Sequence, residues 1–82
     1  MDIGKVTQML QGVSHELFVD AYEHCKKVNI IFRNSTPTQK ELDTYKRSLK
    51  VIAGDELIAL EQKMSKSSSG NYKRIVVTIK KP

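Results

Sequence analysis

Two short stretches bring together the residue types that chemistry uses. In Lys63-Met64-Ser65-Lys66-Ser67, two ammonium groups and two hydroxyls fall within one turn and a half of chain, a set suited to holding phosphate. In Asp20…Glu23-His24-Cys25, a thiol follows an imidazole that has carboxylates just ahead of it, the ingredients of an activated thiolate. The second set fails on geometry. Neighbours on a helix point about 100° apart, so His24 cannot reach Cys25 if this stretch is helical. Cys25 also lies on an apolar stripe, where packing is its expected role. His15 and His24 share no metal-binding spacing, no second cysteine exists for zinc, and Gly4, Gly12, Gly54 and Gly70 form no phosphate loop. The chain is therefore expected to have no catalytic residues, no metal and no cofactor, and not to be an enzyme.

Lys63 to Ser67 resembles, letter for letter, the ATP-handling loop of the class I aminoacyl-tRNA synthetases, and Gly70-Asn71 echo what often follows it. The resemblance implies lysines that stabilise a triphosphate during adenylate formation. That family joins the loop to a distant His-Ile-Gly-His-type signature in a large nucleotide-binding fold. Here there is no His-x-Gly-His, and 82 residues make a single domain. The resemblance ends with the loop. The stretch is instead expected to be a helix C-terminus, its lysines near the negative end of the helix dipole.

Charge is the strongest compositional feature, at a net +5. Residues 1–34 carry four bases and four acids, residues 35–66 six bases and five acids, and residues 67–82 four bases and no acid. An acid-free basic end suits a polyanion, and lysines also blunt a sheet edge. The lone Cys25 allows no internal disulfide, the longest unbroken apolar run is Leu57–Leu60, and the N-terminus lacks a signal-peptide pattern. A cytoplasmic protein with no membrane contact is expected.

Periodicity predicts a mainly α fold of two N-terminal helices, one long helix with a possible kink, and a short C-terminal strand. The alternative is an α+β fold with a small βαβ unit. Asp2 caps a first helix carrying Ile3, Val6, Leu10 and Val13, which Gly12 ends. Ser14 starts a second helix with the stripe Leu17, Ala21, Cys25, Val28 and Phe32, running to about Arg33. Residues 28–32, with three β-branched side chains, fit a strand as well. After a break at Ser35, Thr36 is the expected cap, with Pro37 in the first helical position and Gln39 closing a capping box. Leu42, Tyr45, Leu49, Ala53, Leu57, Leu60 and Met64 then form a stripe for one long helix, which Gly54 weakens. Residues 65–71 are expected to be a flexible Ser-rich turn or linker and 72–82 a basic strand or tail, within one domain spanning 1–82. Ile75, Val77 and Ile79 alternate as one strand face. That strand is expected to pair with its copy in a second subunit, or with residues 28–32 as a parallel βαβ unit.

The functional expectation is a small basic, helical, cytoplasmic protein that binds nucleic acid through phosphate contacts or regulates a nucleic-acid-processing system. Lys63, Lys66, Lys73, Arg74, Lys80 and Lys81 are the candidate contacts. The alternative is an adaptor or inhibitor built for protein–protein interaction, docking through its long amphipathic helix. In either case a homo-oligomer, a homodimer, is expected. Its interface, or that with a protein partner, would use Leu42, Tyr45, Leu49, Leu57, Leu60, Met64, Ile75, Val77 and Ile79.

Overall fold

The computed structural model describes residues 1–32, 36–68 and 70–82, and they form a sheet-rich α+β fold rather than a mainly helical one. The order is α1 (Ile3–Met9), β1 (Glu16–Ala21), β2 (Cys25–Phe32), α2 (Gln39–Ala53), a 3-10 turn (Gly54–Glu56), β3 (Leu57–Ser67) and β4 (Gly70–Lys80). The strands make one antiparallel sheet in the order β1-β2-β4-β3.

Both helices start where side chains satisfy free backbone N–H groups. Asp2 accepts the N–H of Gly4 at 2.9 Å, as expected, and α1 ends at Met9, before Gly12. α2 begins two residues later than the expected Thr36 cap. Thr38 accepts the N–H of Glu41 at 3.2 Å, and the Glu41 carboxylate returns a bond to the N–H of Thr38. That reciprocal pair is a capping box, one Thr further on, and it leaves Pro37 outside the helix and buried. The expected break at Ser35 lies outside the described residues.

The second predicted helix is a hairpin of β1 and β2. Its stripe from Leu17 to Phe32 had helical spacing, but Val28, Ile30 and Ile31 favour extended backbone. The decisive factor is tertiary. β2 lies between β1 and β4, so its backbone is paired on both sides, and Val28, Ile30 and Phe32 are buried.

The long helix also divides. Gly54 has φ 58° and ψ −135°, a conformation that residues bearing a Cβ rarely adopt, and α2 stops there. Residues Leu57 to Ser67, expected in the helix and linker, are a strand instead. Lys63 to Ser67 thus lie in β3, and of the expected linker residues 65–67 belong to β3 and residues 70–71 to β4.

The alternation of Ile75, Val77 and Ile79 holds, but β4 is a central strand, flanked by β2 and β3. It pairs with residues 25–32 antiparallel, with Val28 opposite Val77 and Ile30 opposite Ile75. Among the described residues there is therefore neither a parallel βαβ unit nor a free tail strand.

Val6 of α1, Leu10 just after it, and Leu42, Leu49 and Ala53 of α2 meet Val28, Ile30, Phe32, Ile75, Val77 and Ile79 on one face of the sheet. Leu57, Leu60 and Tyr45 pack against this core, and the Tyr45 ring stacks on Phe32 at 6.2 Å. Of the nine residues expected at an oligomer or partner interface, Leu42, Leu49, Ile75, Val77 and Ile79 are buried in this core, while Tyr45, Leu57 and Leu60 pack against it and stay partly exposed. The ninth, Met64, is 63% exposed. Among the described residues no helix is long and apolar enough to cross a membrane.

Candidate functional site

Directly opposite residues in antiparallel strands share a face, so the ladder registers sort every side chain. The core residues define the helix-bearing face. The other face carries Glu16, Phe18 and Asp20 from β1, and Cys25, Lys27, Asn29 and Ile31 from β2. From β4 it carries Tyr72, Arg74, Val76, Thr78 and Lys80, and from β3 Ala59, Glu61, Lys63 and Ser65. Among the described residues no helix covers it, since the buried cluster of both helices lies on the opposite side.

The six predicted basic contacts are therefore split. Lys63, Arg74 and Lys80 lie on the open face, with Lys63 directly opposite Arg74. Lys73 stands opposite Phe32 and Met64, on the helix-bearing face, and Lys66 shares that parity. Lys81 follows β4, where its N–H donates to the carbonyl of His24. Lys27, which sequence reasoning missed, joins the open face: it faces Thr78, two register positions from the Cys25–Lys80 pair. Once residues 28–32 are taken as a strand, its parity alone places it there.

Aromatic residues interleave with these bases. Phe18 and Tyr22 are each 49% exposed, and the Lys27 ammonium lies 5.7 Å from the centre of the Tyr22 ring. Tyr72 stands opposite Ser65 on the same face. Three of the chain's five aromatic residues thus gather on one surface, while Phe32 and Tyr45 pack inside.

At the centre of the face, Asn29 donates to Asp20 at 3.1 Å and accepts from the Arg74 guanidinium at 3.3 Å. These bonds tie Arg74 to β2 and occupy Asp20 with an amide. Lys63 pairs with Glu61 at 3.1 Å on its own strand. Lys27, Arg74 and Lys80 form no ion pair with a carboxylate among the described residues. Within the open face, acids belong to the outer strands β1 and β3, and the central strands present bases alone.

A second basic surface lies between α2 and β3, where Asp43, Lys46, Arg47, Lys50 and Leu60 line a groove. A hydrogen bond from the Gln39 amide, at 2.9 Å, and the Lys46 ammonium, at 3.2 Å, hold the Asp43 carboxyl below its ordinary pKa. Cys25 is half-buried rather than a core residue, beside Tyr22, Glu23, His24 and Lys27 at the end of the β1–β2 hairpin. Among the described residues no group of three or more His, Cys, Asp or Glu is placed to hold a metal ion.

Comparison with family models, with curated proteins and with solved structures gives no match. The geometry of the open face is thus the basis for a functional reading.

Proposed function

We propose that this protein is a non-enzymatic module that binds single-stranded nucleic acid on the open face of its sheet. The observation that carries the reading is the placing of Lys27, Arg74 and Lys80 among Phe18 and Tyr22 on a surface that no helix covers among the described residues. Cations track a phosphate backbone, and rings give each base a surface on which to stack. Every second residue of a strand falls on one face, and neighbouring strands bring the rings of β1 and its turn beside the cations of β2 and β4.

A single strand suits the surface better than a duplex, because bases must be unstacked to stack on exposed rings. Contacts to phosphates and ring faces carry little base information, so sequence preference is expected to be weak. The adaptor reading draws less support, because Leu42 and Leu49 of the expected helical seam are fully buried. Cys25, a free thiol, is at home in the reducing cytoplasm, where we place the protein.

Fluorescence anisotropy with a labelled mixed-sequence oligonucleotide, single-stranded and annealed to its complement, tests this. The single strand should bind more tightly, and Phe18→Ala should cost about 1–3 kcal/mol of that affinity. Equal or tighter binding of the duplex, with no effect of Phe18→Ala, would remove the open face from the site.

A further inference from the structure

β3 is an outer strand of the sheet, Leu57–Ser67, paired with β4 on one side and with no strand on the other among the described residues. It carries Ile58 at 57% exposure and Met64 at 63%. Sheet proteins ordinarily blunt so long an edge with charged side chains, a bulge or a proline, because it is a template for another strand; β3 carries Glu61, Lys63 and Lys66, charges of both signs that a suitably registered partner could match. Here the only irregularity is a register shift between Leu57 and Ala59, at the strand's start.

We infer that β3 is a dimerisation edge and that its partner is the β3 strand of a second copy, running antiparallel about a two-fold axis through Gln62. The side chains select this register. With Gln62 opposite itself, Glu61 of each chain faces Lys63 of the other, on the open face. On the helix-bearing face, Leu60 of each chain meets Met64 of the other. One arrangement therefore makes two opposite-charge pairs and two apolar pairs from four residues that alternate correctly. Moving the axis by one residue places Glu61 against Glu61 or Lys63 against Lys63, and like charges directly opposite are destabilising.

The surroundings agree with this register. The groove beside Leu60, lined by Asp43, Lys46, Arg47 and Lys50, is the space that the second copy's Met64 would enter. Gln62 is drawn away from the edge, onto α2, by paired amide bonds with Gln39 at 3.1 Å each, so it does not obstruct the axis. The other outer strand is a poorer candidate. Pairing two β1 strands about Phe18 sets Glu16 against Asp20, two acids in contact.

An axis of this kind runs perpendicular to the sheet, so all four helices fall on one side. The two open faces join on the other into one continuous surface, twice the length of the proposed site. The dimer does not depend on that site, and its test needs no nucleic acid.

Sedimentation equilibrium of the full chain at micromolar concentrations should give the dimer mass. Lys63→Glu should weaken association by about tenfold or more, roughly 1.4 kcal/mol. Adding Glu61→Lys to it should restore association, because the charge pairs are then re-formed with their signs exchanged. In a Cys25→Ser background, Gln62→Cys should cross-link under mild oxidation, since residues on the axis lie about 4.5–5.5 Å apart between Cα atoms. Lys66→Cys should not, because its two copies would be about 27 Å apart. A monomer mass for the unaltered chain, a dimer indifferent to Lys63→Glu, or equal cross-linking at both positions would overturn the inference.

Discussion

Phe18 stands directly opposite Asn29 across β1 and β2, and the two differ sharply in exposure: Asn29 is 8% exposed and Phe18 49%. The buried polar group is held by two neighbours, whereas no helix among the described residues lies above the half-exposed ring. Phe18→Ala should therefore leave thermal stability nearly unchanged, within about 0.5 kcal/mol, while lowering affinity for a single strand. Thermal melts and anisotropy on the same sample separate the two effects. A large loss of stability would make Phe18 a packing residue.

Asn29 is the opposite case. It joins Asp20 to Arg74, and the Arg74 Nε is already buried without a hydrogen-bond partner among the described residues. Asn29→Ala would strip a further partner from each side. The expected cost is about 1–3 kcal/mol in chemical denaturation, and a loss below 0.5 kcal/mol would mean that solvent replaces both bonds.

Two positions on α2 distinguish the buried helix from an exposed docking seam. Leu49 is fully buried, and Val51 is 82% exposed. Leu49→Ala should destabilise by about 2–5 kcal/mol, while Val51→Ala should stay within about 0.5 kcal/mol. Similar small effects at both would place the helix on the surface.

The pH response at Asp43 has a definite sign. The Gln39 amide and the Lys46 ammonium favour its charged form, so its folded pKa lies below the ordinary value. Its contribution to stability is present above the unfolded pKa and is lost as pH falls through the lowered, folded one. A carboxyl NMR titration should show this low midpoint, and Gln39→Ala should raise it. An unchanged midpoint in that variant would remove the amide as the cause.

What could be read along the chain was local: the Asp2 cap, the helix carrying Leu42, Tyr45, Leu49 and Ala53, and the alternation of Ile75, Val77 and Ile79. The errors came where helix and strand periods coincide. Leu57, Leu60 and Met64 continue a helical stripe on paper, yet Gly54 adopts a backbone conformation that stops the helix, and β4 supplies a partner that only the folded chain provides. Likewise the hairpin formed by Glu16–Ala21 and Cys25–Phe32 turns without glycine or proline, so no punctuation betrayed it. The bases at Lys63, Arg74 and Lys80 were visible as charge. That they share a face with Lys27, while Lys66 and Lys73 do not, depends on strand register, which long-range pairing decides.

The salt dependence of single-strand binding tests the central claim most directly. If Lys27, Arg74 and Lys80 each meet a phosphate, the logarithm of the association constant should fall against the logarithm of salt concentration with a slope of about −2. Lys27→Gln with Lys80→Gln should reduce that slope by more than half and leave the melting temperature nearly unchanged, because both lysines are at or near the surface. Absence of binding at low salt, or a slope that survives the double substitution intact, would contradict the account.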